Sequence, residues 1–268
     1  MGMTTMEKVC ANSLQALILT KDEEVNIARV LNKLIWLERV VVLDSFSTDS
    51  TLELLSKYPN VEVFFRKFDT HANQWNYGLS LIESKWVLTL DADYVLTRKF
   101  IHETIDILRV NKKDYVAYFS EFKFVVFGRP LLADNTTPRP VLFIKRSCSY
   151  FDDGHTQRLL INGKSGFLKS HIFHDDRKPL SNWIDNLNRY SVKECQKLLD
   201  PNNRSRNSLI TRIRMTKVLA PLFVFFYCLI VKGLFLNGWA GWHYTIQRTI
   251  VEMVFALRLI EEEKLKAK

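Results

Sequence analysis

Four cysteines occur in the 268 residues, and no two of them form a C-x-x-C pair. Cys10, Cys148, Cys195 and Cys228 are scattered, which argues against a zinc site or a disulfide framework and fits a reducing compartment. A secretory leader is not expected, because the apolar run from Leu14 to Leu19 is short and opens directly into Lys21-Asp22-Glu23-Glu24. Internal repeats and low-complexity tracts are lacking. No G-x-G-x-x-G follows the first apolar run and no G-x-x-x-x-G-K occurs, so neither a dinucleotide fingerprint nor a P-loop is indicated. Acid is missing locally: from Pro201 to Val251 there is no Asp or Glu. Over the same stretch Arg204, Arg206, Arg212, Arg214, Lys217, Lys232 and Arg248 supply most of the net charge of +9.

Such a basic segment suits nucleic acid or an anionic membrane surface. Its cations are followed by an apolar block, Val218 to Val231, rather than interleaved with stacking aromatics, so no nucleic-acid partner is expected. Trp239, Trp242 and Tyr244 come next, side chains that settle at headgroup level. From His243 to Ile260, apolar Ile246, Ile250, Val254, Leu257 and Ile260 recur at helical spacing. The pattern predicts in-plane or re-entrant helices docked on inner-membrane lipids at the cytoplasmic face, with a single span from Val218 to Leu236 as the alternative. Two parts are expected: residues 1–200 as a catalytic domain and 201–268 as a basic, apolar, membrane-associated helical segment.

The first two hundred residues alternate between strand and helix patterns. Strands are predicted at Leu14 to Leu19, Val40 to Leu43, Val61 to Phe65 and Trp86 to Leu90. Helices are predicted over Glu23 to Trp36, near Ser50 to Lys57 and over Asn73 to Glu83. This order implies an α/β fold with a doubly wound, mostly parallel sheet. Beyond Tyr115 the pattern turns irregular. The fourth strand stops on Asp91-Ala92-Asp93, two carboxylates one residue apart at a strand's carboxyl end, where open α/β sheets gather ligands. Both leave on one side and repel, unless one is protonated or a cation lies between them. A divalent metal carrying a phosphate is the simplest relief.

The stretches LILTKDEEVNI, VVLDSFSTDST and QWNYGLSLIESKWVLTLDAD, with GHTQ and HDDRKPLSNW later, resemble a family 2 glycosyltransferase of the GT-A fold. The likeness runs from about Leu14 to Trp183 and lies near the bacterial branch that adds hexoses to lipopolysaccharide core or exopolysaccharide. It implies a Rossmann-like nucleotide-binding half followed by an irregular acceptor half. It further implies that Asp22 and Asp44 contact base and ribose, that Thr20 and Glu23 shape that pocket, and that Asp91 lies near ribose and metal. Asp93, with His174 as a further ligand, would coordinate Mg2+ or Mn2+. Arg177 would balance the diphosphate. Tyr94 stands where the family pattern usually has Glu. Asp153 and His155 are the candidates for the base of an inverting transfer, because relatives' His-Glu is here His155-Thr156. The implied partners are a nucleotide-sugar donor, UDP-hexose above all, and a lipid-linked glycan acceptor. A polyprenyl-phosphate glycosyl synthase of the same fold and a non-catalytic membrane adaptor are the alternative readings.

Overall fold

The computed structural model of the chain describes residues 13–110, 114–133, 136–153, 156–199 and 209–266. These fall into two compact units, drawn from Met1–Val125 with Thr136–Arg177 and from Val126–Asn135 with Lys178–Lys268.

The first unit begins β1 (Leu14–Thr20), α1 (Ile27–Leu31), β2 (Val40–Asp44), α2 (Thr51–Leu55), β3 (Val61–Phe65), α3 (His71–Ser80) and β4 (Trp86–Asp91). It continues through β5 (Tyr94–Leu96), α4 (Arg98–Arg109), β6 (Ala117–Val126), β7 (Arg139–Ile144), β8 (Cys148–Asp153), β9 (Thr156–Ile161) and β10 (Ser165–His174). The main sheet runs in the order β3-β2-β1-β4-β7-β6-β10-β5. Its first four strands are parallel. β7 is then antiparallel to both β4 and β6, and β10 runs parallel to β6.

Side chains alternate across a strand, and the two faces bury different partners. Ala16, Ile18, Val40, Val42, Leu88 and Leu90 meet Ile27, Val30 and Leu31 of α1, Leu55 of α2 and Phe100 of α4. Leu17, Val41, Val87 and Phe143 meet Trp75 and Leu79 of α3, with Tyr150 and Leu159 of the β8–β9 hairpin packed alongside. The helix expected from Glu23 to Trp36 is shorter. After α1 the chain tightens into i→i+3 turns, with Leu34 N on Leu31 O and Leu37 N on Leu34 O. Leu34 stays in the core, so the apolar stripe survives the change of winding.

The second unit holds α5 (Leu180–Leu199), α6 (Leu209–Met215), α7 (Leu219–Phe226) and α8 (Trp239–Lys266). Leu187, Cys195 and Leu198 of α5 bury against Val251, Phe255 and Leu259 of α8. No helix among the described residues is long and apolar enough to cross a membrane. The alternative of one span from Val218 to Leu236 is not what forms: α7 passes into a π-turn, Tyr227–Val231, and Gly233 at φ 67 reverses the chain before a 3-10 turn, Leu234–Asn237. A side chain at Gly241 would place its Cβ 1.8 Å from Leu234 O, so only glycine allows α8 to leave that turn so closely. Tyr244, expected among the interfacial aromatics, is buried, whereas Trp239 and Trp242 are exposed. Ile246, Ile250 and Leu257 also face outward and, with Met253, form a stripe at helical spacing opposite the buried Val251, Phe255 and Leu259.

Candidate active site

Strand register lines up three polar ends. Thr20 pairs with Asp44 across β1–β2, and Leu19 pairs with Asp91 across β1–β4. Asp44 is fully buried and its carboxylate is fully engaged. Thr20 Oγ1 donates to Oδ2 at 2.9 Å, and Ser47 donates its amide to Oδ1 at 2.7 Å and its hydroxyl to Oδ2 at 2.5 Å. Asp44 thus fixes Thr20 and the turn after β2. Asp22 sits across from that turn with φ 53, accepting from the Thr48 amide at 2.7 Å. Partial burial pushes its carboxyl up, but the Thr48 amide and the nearby Lys21 ammonium outweigh that and hold it below the usual range. Asp49 accepts from the Thr51 amide at 2.9 Å and the Glu24 amide at 3.1 Å, lacing the two loops together.

At β4 the two carboxylates find different company. Asp93 lies beside His174, with Nε2 and Oδ2 3.1 Å apart. The reason is topological: β10 pairs antiparallel with β5, setting His174 opposite Tyr94, and the Asp175 amide donates to Asp93 O at 3.0 Å. Burial works against a charged imidazole, but the charge and hydrogen bond of Asp93, with Asp91 behind it, carry His174 above its ordinary value. Asp91 lies beside Tyr94 and Arg139: Arg139 Nη1 is 4.0 Å from its Oδ2, and the same nitrogen donates to the Tyr94 hydroxyl at 2.7 Å. The Tyr94 hydroxyl is hydrogen-bonded to Asp91 in turn. Burial and the charge of Asp93 raise the Asp91 carboxyl, against the pull of Arg139 and Tyr94.

Among the described residues no group of three or more His, Cys, Asp or Glu forms a metal cage. Of the expected set, Asp93 and His174 come within 3.1 Å of each other, and Asp91 lies beside Tyr94 with Arg139 4.0 Å away. The closer pair nevertheless suits a divalent ion. Neighbouring ligands of an octahedral ion at about 2.1 Å stand about 3.0 Å apart, and such ions take few protein donors when substrate phosphates complete the shell. The observed 3.1 Å between Nε2 and Oδ2 matches that edge.

Arg177 is held by Asp175, donating from Nη2 to Oδ2 at 2.9 Å. Asn26 joins this segment to the β1 loop. Its Nδ2 donates to Glu23 Oε2 and Asp176 Oδ1, both at 2.9 Å, and its Oδ1 accepts from the Arg177 amide at 3.0 Å. Asp152 accepts from the Ala72 amide at 3.1 Å, in the first turn of α3. Asp153 closes β8 opposite Thr156, but its side chain and all of His155 lie outside the described residues. Asn26 and Arg139 were not singled out from the sequence. Only Arg139 carried a signal, as a lone cation where a strand resumes after the proline-rich loop.

A family model described as glycosyl transferase family 2 matches residues 16–170. An uncharacterized glycosyltransferase of Rickettsia conorii is 24% identical over 280 residues, covering 98% of this chain and 95% of the relative. One from Rickettsia felis is 24% identical over 284 residues, covering 98% and 93%. Among solved structures, the mannosyltransferase PcManGT from Pyrobaculum calidifontis, in complex with GDP-Man and Mn2+, superposes with a TM-score of 0.54. It is 14% identical, with 96% of this chain and 88% of that one covered.

Proposed function

The chain belongs to glycosyl transferase family 2, and from that premise we propose that it transfers a hexose, with inversion, from a UDP-sugar to a lipid-linked glycan in bacterial lipopolysaccharide or exopolysaccharide assembly. The observation that carries the donor half is the meeting of Asp93 and His174 at the carboxyl edge of the sheet, beside the laced loops of Asp22, Asp44 and Thr48. Asp93 and His174 are the residues that would hold Mg2+ or Mn2+. When bound, the cation offsets negative charge on the diphosphate as the sugar departs.

Thr20 and Asp22 line the base and ribose end, with Asp44 behind them as the group that fixes the turn. Arg177 is the chain's own cation for the diphosphate, since a guanidinium fork matches phosphate oxygens. Asp153 or His155 takes the proton of the acceptor hydroxyl as it attacks C1 from the face opposite the nucleotide.

In this reading the enzyme works at the cytoplasmic face of the inner membrane, with the helices of the second unit lying in the interface. Support comes from the outward stripe Trp239, Trp242, Ile246, Ile250, Met253 and Leu257, all at least 36% exposed. Anchoring confines enzyme and lipid-linked acceptor to one surface and raises their effective concentration. The test is incubation of the full chain with membranes and a panel of labelled nucleotide hexoses. Mn2+-dependent incorporation from a UDP-hexose into a lipid-extractable glycan is expected. Incorporation into polyprenyl phosphate instead would move the acceptor to the alternative reading.

A further inference from the structure

The turn after β2 holds a residue in a costly conformation. Phe46 has φ 63, in the left-handed region that glycine enters freely and a bulky side chain does not. Its surroundings over-determine that shape: Asp44 grips Ser47 through two hydrogen bonds, and Lys21 Nζ donates to Phe46 O at 2.5 Å. The result is a ring held out into water. Phe46 is 54% exposed and lies against Phe65 at the end of β3, itself 50% exposed, with centroids 5.8 Å apart and planes inclined by 29°. Strain of this kind persists where it serves a site.

We propose that the Phe46–Phe65 pair is the stacking platform for the nucleobase of the sugar donor. The inference rests on the donor reading above and adds to it the surface that grips the base. Placement supports it. Phe46 belongs to the same turn as Ser47 and Thr48, which embrace Asp22. Asp44 is two strands from Asp91 in the order β2-β1-β4. At 4.7–4.9 Å per strand that separation is roughly 10 Å, suited to a nucleotide with its base over the turn and its diphosphate at Asp93. Stacking on an aromatic face is tolerant of base identity. The platform therefore grips uracil and guanine alike, and selectivity between them falls to polar groups.

The test is calorimetric titration of the full chain with UDP, GDP and inorganic pyrophosphate in the presence of Mn2+, for wild type, Phe46→Gly, Phe46→Trp and Phe65→Ser. Glycine suits the backbone at position 46, so Phe46→Gly keeps the turn while removing the ring. The expected result is nucleotide affinity about tenfold weaker in Phe46→Gly and reduced in Phe65→Ser. Phe46→Trp should bind like wild type, and pyrophosphate affinity should not change. Nucleotide affinity of Phe46→Gly within twofold of wild type would overturn the proposal, and so would a parallel loss of pyrophosphate. A wild-type chain that binds none of the three probes would remove the donor reading itself.

Discussion

Asp93 and His174 stand 81 positions apart in the chain and 3.1 Å apart in space. Asp93 was legible because an apolar strand halts on it. His174 was legible only through the family resemblance, since nothing near Ile172-Phe173 announces that β10 pairs antiparallel with a three-residue strand. The neighbour of Asp91 left no signal beyond a lone cation where a strand resumes. Arg139 reaches it because β7 runs back along β4, and the bridging Tyr94 occupies the place where an acidic residue was looked for. Asp93→Ala should lower transfer at least a hundredfold while the melting temperature stays near wild type, because the side chain serves substrate more than fold. Activity assays beside a thermal melt decide it. Near-normal turnover would remove Asp93 from the metal-binding role.

Elements were legible where hydrophobic period and location agree. β1, β2 and β4 lie within one residue of expectation because each is largely buried on both faces, which only a continuous apolar run satisfies, while the half-exposed edge strand β3 keeps its expected bounds. The C-terminal helices were harder, since α8 is apolar on two sides and sequence alone does not say which side meets α5. The structure shows what fixes it. Arg214 of α6 bonds Glu252 of α8 at 3.0 Å and Glu194 of α5 at 3.0 Å, over the ring of Phe255 at 4.9 Å. All three charged side chains are largely buried. Removing the cation strands two carboxylates in that interior. Arg214→Ala should therefore cost about 3–5 kcal/mol, and Glu252→Gln, which keeps an acceptor for Arg214, should cost less. Thermal melts followed by circular dichroism would show this order, and equal small shifts would contradict it.

At the scale of the molecule, two compact units divide the work. The first presents polar strand ends in one line, and the second leaves many large apolar residues outside. Leu222, Phe223, Phe226, Ile230 and Val231 are each more than half exposed, as is Leu257. Arg129 lies over the ring of Trp239 and Lys232 over that of Tyr227, cations set beside aromatics. Because these positions are already in solvent, Phe223→Glu with Phe226→Glu and Ile230→Glu should leave the fold intact. The same triple variant should reduce co-sedimentation with vesicles containing anionic lipid about tenfold or more, as both apolar area and charge attraction fall. Undiminished binding would place the lipid contact elsewhere.

A divalent cation held jointly by Asp93, His174 and a nucleotide diphosphate is the centre of the proposed donor site. Electron paramagnetic resonance of Mn2+ reads this directly, since the sharp signal of the free ion fades on binding. With UDP present, the wild-type chain should abolish that signal to one equivalent, and Asp93→Ala should leave most of it. A signal undiminished by the wild-type chain, or quenched equally by the variant, would contradict the account.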